Sequence, residues 1–285
     1  MILDLSEVAR EICKNSHLTY LDKVGEGTFK ETFHVMQADG LSEALKVFRN
    51  GYSNERSTRE IEAMLRCDHP NIVKIHNVST IDCADGRYLF IIEEYLRGGT
   101  LTERLKKSLL SPNDVFIVGK TLISAVDHIS SHGFVHRDFK PDNIMFREDR
   151  VTPVVVDFGL VRDLGKESLT KTWFLQGPGS PYFSAPEQLN NEKALIDWRT
   201  DQFALGILLS ICAFGSHPYA RQSDKQIDII TRVASREQPS SEFVIRAREN
   251  KLAALIYMVA PWPVERFRTP DLLAVNWNTN CEKVN

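Results

Sequence analysis

The octapeptide His136–Asn143, HRDFKPDN, packs several chemically useful side chains into one short stretch. The carboxylate of Asp138 can accept a proton from an attacking hydroxyl. The ammonium of Lys140 can hold a phosphoryl oxygen, and the amide oxygen of Asn143 can bind a hard cation. Phe134 and Val135 lead in as a short apolar strand, and Pro141 stops any helix from running through, so the stretch reads as a loop. The plainer reading is a polar surface turn. Fourteen residues beyond Asn143 stands Asp157-Phe158-Gly159, delivered by the β-rich run Val151–Val156. An acid at the end of a strand, followed by glycine, can aim its carboxylate into a cleft. Together with Asn143 it would supply oxygen ligands for Mg²⁺, which prefers few protein ligands plus phosphate oxygens.

A second constellation lies upstream. Gly25-Glu26-Gly27-Thr28-Phe29 forms a turn between apolar runs, and its glycines let backbone N–H groups approach a phosphate closely. Alone, this is also what a hairpin turn looks like. Its weight comes from Ala44-Leu45-Lys46 on a following strand. An ammonium on a strand floor beneath a glycine-rich turn can reach α- and β-phosphates.

In order and in kind, these residues resemble the eukaryotic-type (Hanks-type) serine/threonine protein kinases. HRDFKPDN is similar to their catalytic loop, Asp157-Phe158-Gly159 to their metal-binding triplet, and Ser184-Ala185-Pro186-Glu187 to the close of their activation segment. The resemblance covers roughly residues 20–270. It implies an α+β, bilobal fold with a small antiparallel sheet lobe carrying one main helix, and a larger, mostly helical lobe. It also implies transfer of the γ-phosphoryl group of ATP to serine or threonine hydroxyls of protein substrates, with autophosphorylation in the activation loop. The implied catalytic residues are Asp138, Lys140, Lys46 and Glu60, the last paired with Lys46; Glu62 competes for that pairing. ATP contacts would come from Gly25, Glu26, Gly27, Thr28, Phe29, Ala44, Lys46, Asn143 and Asp157, and from backbone groups of the hinge at Glu94 and Leu96. Asn143 and Asp157 would hold Mg²⁺, with Mn²⁺ as a second option. Ser168, Thr170 and Thr172 are candidate phosphorylation sites, where a phosphate would pair with Arg137. Ser180, in Gly179-Ser180-Pro181, would meet a serine or threonine substrate near Asp138 and Lys140.

Three residues depart from the family pattern. Lys30 stands at the third glycine of the G-x-G-x-x-G turn, Thr32 where an apolar residue covers the adenine, and Glu93 at the usually apolar back-pocket position. A carboxylate at the last of these is costly unless paired or hydrogen-bonded. These departures keep open a second reading, a pseudokinase or scaffold that binds nucleotide or a partner with little catalysis. Small-molecule kinases share the lobes but generally lack the A-P-E segment and the helix that carries Asp201.

Several elements must position these groups. Leu5, Val8, Ala9 and Ile12 predict an amphipathic helix within residues 2–14. Leu21, Val24, Phe33, Val35, Leu45 and Val47 predict three antiparallel strands. Ser57–Cys67 predicts a helix, Ile72–His76 and Tyr88–Ile92 two more strands, and Asp82–Arg87 an exposed loop between them. Leu101–Ser108, Pro112–His132, Asp201–Cys212, Gln226–Ala234, Lys251–Val259 and Pro270–Val275 predict helices. Asp201 is expected to cap backbone N–H groups of the catalytic loop and Gly206 to allow close packing, and the family resemblance implies a buried ion pair between Glu187 and Arg266. The expected domains are a helical extension at 1–16, an ATP-binding lobe at 17–95, a catalytic and substrate-binding lobe at 96–278, and a tail at 279–285.

Composition narrows the class. A net charge of −3 provides no basic field for nucleic acid. The five cysteines are scattered, odd in number and without metal-ligand spacing, which predicts reduced thiols in the cytoplasm. The apolar run Phe203–Gly215 is too short to span a bilayer and predicts a buried helix. The expected partners are protein substrates, with no nucleic acid and no membrane, and with self-association as the route to trans-autophosphorylation.

Overall fold

The structure is a computed structural model that describes residues 5–27, 29–49, 61–63, 65–158, 162–163 and 181–281. Glu60, Thr28, Ser168, Thr170, Thr172 and Ser180 lie outside the described residues.

The N-terminal part is a five-stranded antiparallel sheet in the order β1-β2-β3-β5-β4. Its strands are β1 Thr19–Glu26, β2 Lys30–Met36, β3 Ser42–Phe48, β4 Ile75–Cys83 and β5 Gly86–Glu94. Side chains alternate between its faces. One face carries Phe33, Val35, Leu45, Val47, Phe90 and Ile92, all buried. Helix α1, Ser6–Asn15, closes that face with Val8, Ala9, Ile12 and Cys13 and leaves Glu7, Arg10, Glu11 and Lys14 to solvent. The opposite face carries Ala44, Lys46, Ile91 and Glu93. Leu21 and Val24, read from sequence as strand residues, are 42% and 43% exposed, so β1 is an outer strand.

Two sequence expectations need correction here. The fourth strand is Ile75–Cys83, not Ile72–His76, and it is largely exposed, so His76, Asn77, Ser79 and Thr80 hide it from an apolar pattern. Ile72 and Val73 instead tie into the C-terminal part, where Val73 N–H donates to Val155 O at 3.0 Å. The expected loop Asp82–Arg87 is a tight hairpin, because Asp82 pairs with Arg87 and Cys83 with Gly86. Helical structure is present at 61–63 and 65–66, within the expected Ser57–Cys67 helix.

The C-terminal part is mostly helical. Helix α2, Leu101–Leu105, is shorter than expected and carries a Thr100/Glu103 capping box. Helix α3, Pro112–Ser131, starts at an N-cap where Ser111 Oγ accepts from Asp114 N–H. Two small two-stranded sheets follow: β6 Phe134–Val135 pairs with β9 Arg162–Asp163, and β7 Ile144–Phe146 with β8 Pro153–Val155. The short helix α4, Pro186–Leu189, precedes α5, Trp198–Phe214, which is buried almost all round. Gly206 lets α5 approach its neighbour, since a Cβ there would lie 2.8 Å from Met258 and Val259 side chains. Helix α6 spans Gln226–Ala234 as expected. Helix α7, Ser241–Glu249, was not legible, since Phe243 and Ala247 are its only buried positions. Helix α8 is confined to Ala254–Met258, because Lys251 adopts φ +59°. Helix α9 runs Pro270–Cys281, past the expected end at Val275, because Trp277 packs against Gly119. Among the described residues, no helix is long and apolar enough to cross a membrane. Cys13, Cys67, Cys83 and Cys212 are free thiols.

Candidate active site

The loop after β6 is held in a conformation it would not adopt alone. Arg137 takes φ +69°, a region costly for a residue with a Cβ. Three hydrogen bonds from two side chains hold it there. Asp201 on α5 accepts from His136 N–H through Oδ2 and from Arg137 N–H through Oδ1, both at 2.8 Å. Gln188 Nε2 donates to Arg137 O at 2.9 Å. Asp201 is 1% exposed, and burial pushes its carboxyl up to about 7 against the pull of those two N–H groups. The cap expected from sequence is therefore present.

That strain presents the next residues in order. The Asp138 carboxylate is held at Oδ2 by Lys140 Nζ at 2.9 Å and by Asn143 Nδ2 at 2.8 Å. Burial raises its pKa above the ordinary carboxylate value, opposed chiefly by the Lys140 charge. Asn143 Nδ2 also donates to Asp138 O at 2.9 Å, so both amide hydrogens face Asp138 and the amide oxygen remains for a cation. His136 is fully buried against Phe139 and Phe158, each ring 4.8 Å away, and burial lowers its pKa to about 4. It is thus a neutral packing residue. Asp157 follows β8, which is pinned by Val156 N–H donating to Asn143 O at 2.9 Å, and it takes φ +66°. Phe158 beside it is fully buried.

The glycine turn is closed by Gly27 N–H donating to Lys30 O at 2.9 Å. A Cβ on Gly27 would sit 3.1 Å from that oxygen, which favours glycine there. Gly25 and Glu26 pair with Thr32 and Glu31, and Phe29, at the tip, is 42% exposed. Ala44, on the cleft face of β3, is buried. At the hinge, Glu94 is anchored through its side chain. Lys74 N–H donates to Oε1 at 3.0 Å, and Arg147 Nη1 to Oε2 at 2.5 Å. The Leu96 backbone N–H and C=O have no hydrogen bond among the described residues, so a donor and an acceptor remain available at the hinge. Tyr95 between them stacks on His34 at 3.9 Å.

Two contacts were missed from sequence. Glu93, left there without a partner, forms an ion pair with Lys46, Nζ to Oε1 at 2.6 Å. Lys46 pairs across the sheet with Ile91, so Glu93 is its diagonal neighbour on the same face. That strand register was the available signal. Lys30 Nζ lies 3.0 Å from Asp157 Oδ1. No sequence rule predicts that pair, because it crosses from the sheet to the loop after β8. The remaining structural expectation, Glu187 with Arg266, is met by a two-point pair at 2.7 and 3.0 Å between fully buried side chains.

These groups suit an oxygen-bound cation. Asp157 already has an ammonium against it, and Asn143 has an amide oxygen to spare. Among the described residues no three His, Cys, Asp or Glu side chains form a self-sufficient metal cage.

A family model described as the protein kinase domain matches residues 18–277. The chain belongs to the protein kinase family. Similar curated proteins point to its serine/threonine branch. A probable serine/threonine-protein kinase PknB of Lactococcus lactis is 33% identical over 182 residues, covering 62% of this chain and 28% of that protein. Human ribosomal protein S6 kinase alpha-1 is 32% identical over 222 residues, covering 75% of this chain and 29% of that protein. A probable myosin light chain kinase of Dictyostelium discoideum is 26% identical over 282 residues, covering 92% and 87%. The kinase domain thus spans under a third of the first two relatives and most of the third.

Proposed function

We propose that this kinase domain transfers the γ-phosphoryl group of ATP to serine or threonine hydroxyls of protein substrates. The observation that carries the reading is the strained loop in which Asp201 holds Arg137, and Lys140 and Asn143 converge on the Asp138 carboxylate. In the step itself the substrate hydroxyl oxygen bonds to the γ-phosphorus, the bond to the β,γ-bridging oxygen breaks, and ADP leaves. Asp138 orients the hydroxyl and receives its proton. Lys140 stabilises the transferring group's charge. Asn143, through its amide oxygen, and Asp157 would hold Mg²⁺, which when bound offsets phosphate charge. The Leu96 N–H and the Glu94 carbonyl would take the adenine edge. Glu60, Thr28 and the phosphorylation candidates Ser168, Thr170 and Thr172 keep the roles the family pattern implies, with phosphorylation by a second copy of the chain. Lys140 and Gly179-Ser180-Pro181 support serine and threonine over tyrosine as acceptors. The free thiols fit a cytoplasmic setting.

A pseudokinase reading has one specific observation behind it: both cleft lysines are engaged by carboxylates of the chain itself. Radiolabel transfer from γ-labelled ATP with Mg²⁺, to the protein and to a generic basic protein, separates the two. Transfer that falls by ~10²–10⁴ in Asp138→Asn supports a kinase with Asp138 as proton acceptor. ATP binding without transfer in wild type would favour the pseudokinase, or a kinase that needs a specific partner.

A further inference from the structure

The glycine turn is gripped from the side away from the cleft. Glu31 on β2 pairs with Val47, so it lies on the sheet face that carries Phe33 and Val35, opposite to that of Lys46. Its side chain is 1% exposed and sits between two cations. Arg49 Nη2 lies 2.5 Å from Oε1, and Lys23 Nζ lies 2.9 Å from Oε2. Both cations also reach Glu26, inside the turn: Lys23 Nζ at 2.9 Å and Arg49 Nη2 at 3.7 Å. Glu26 and Glu31 are direct partners across β1 and β2, where two carboxylates repel each other. Lys23 and Arg49 hold the two together.

The backbone alone grips the turn weakly. The β1–β2 register shifts between Lys23 and Gly25, so the ladder is interrupted just before the turn. Beyond the turn, Arg49 N–H donates to Phe29 O at 2.8 Å. Arg49 therefore engages the turn through its backbone and its side chain together.

We propose that Glu31, clasped by Arg49 and Lys23, is a positioning residue that keeps the glycine turn in place for the nucleotide phosphates. The assignment rests on the nucleotide-binding reading above. Glu31 faces away from the cleft and acts through the turn, whose backbone N–H groups can meet phosphate. A turn in place for only a fraction of the time binds phosphate more weakly by that fraction. Charge-assisted contacts to a buried carboxylate are strong enough to set it.

The test compares binding of ATP and of adenosine to the full chain, with Mg²⁺, by titration calorimetry well below each variant's melting point. The ratio of the two affinities isolates the phosphate contribution. Glu31→Gln keeps the side chain's size, leaves no carboxylate buried at that position, and should lower the ratio by about tenfold with adenosine affinity unchanged. Arg49→Met removes the other end of the contact and should lower it at least as far, with Arg49→Lys falling between Arg49→Met and wild type. The double variant Glu31→Gln with Arg49→Met should lie within about threefold of the weaker single variant, because both changes remove one contact. A ratio within threefold of wild type in both single variants, even with a lowered melting point, reduces the clasp to a structural role and overturns the assignment. Losses that multiply in the double variant show that Glu31 and Arg49 act separately, and also overturn it. A wild-type chain with no preference for ATP over adenosine overturns the nucleotide-binding reading, and the assignment with it.

Discussion

Replacing Asp201 by asparagine tests whether the catalytic loop is held from behind. The change keeps size and burial but turns one of two acceptor oxygens into an NH₂ group. In the structure each oxygen takes one N–H at 2.8 Å, from His136 and from Arg137. One of those N–H groups would then face a donor. A buried charge-assisted hydrogen bond contributes roughly 1.5–3 kcal/mol, so a stability loss of about 2 kcal/mol is expected. For a chain of this size that is roughly 4–8 °C in melting temperature. The larger effect falls on rate. Arg137 at φ +69° stores roughly 1–3 kcal/mol of strain, which relaxes once the acceptor is lost, and Asp138 is the next residue. A displacement of ~1 Å at the proton acceptor commonly costs about 10² in rate. Turnover should therefore fall about 100-fold, while KM for ATP stays within about threefold, because Asp201 touches neither the hinge nor the lysines. The assay is steady-state phosphoryl transfer at pH 8, above the Asp201 carboxyl's own titration near 7, run beside thermal denaturation. Turnover within threefold of wild type, with the melting point lowered as expected, would show that the loop keeps its shape without Asp201 and refute the reasoning.

Other substitutions probe the supports of the site. Arg266→Met leaves Glu187 fully buried with Thr200 Oγ1 as its remaining side-chain hydrogen bond among the described residues, and should cost roughly 3–5 kcal/mol by denaturant unfolding, partly recovered by adding Glu187→Gln. Gly98→Ala places a Cβ 2.2 Å from Arg147 O and 2.6 Å from Phe146 O, both backbone atoms; it should destabilise by about 1–3 kcal/mol or more and raise KM for ATP through the shifted hinge. His217 is buried, with its pKa lowered to about 4. Its folded value lies below the unfolded one, so the stability it contributes is complete above pH 6.5 and is lost as pH falls towards 4; His217→Gln should flatten the stability-versus-pH slope in that window by up to ~1.4 kcal/mol per pH unit, measured by urea unfolding at each pH. Lys140→Ala removes the main charge opposing burial at Asp138, so the acid limb of the turnover profile should move to higher pH.

Legibility in the sequence followed how local each feature was. The loop from His136 to Asn143 and the strand that leads to Asp157 carry their own punctuation, in Pro141 and Gly159. Helix α6 shows its apolar face in sequence, and the interior helix α5 its unbroken apolar run. Strand β4 failed because an outer strand facing water has no apolar alternation to read. Helix α9 was cut short because its tail, Asn276-Trp277-Asn278-Thr279-Asn280, has weak helix formers, and a distant contact between Trp277 and Gly119 overrides propensity. The two lysine pairings failed for the same reason. One depends on strand register and the other on how the sheet meets the loop, and neither is written at a fixed sequence spacing.

Helix α1 bears on where this domain can be cut. The family match begins at residue 18, yet the helix that ends at Asn15 seals Phe33, Val35, Leu45 and Val47 from water. A chain started at the edge of the match would keep every group of the site and expose the apolar back of its sheet. Such a surface invites aggregation. Its failure to express would then be misread as a defect of the nucleotide site. The working boundary of the domain is set by the sheet's solvent-proofing and lies upstream of its recognisable motifs.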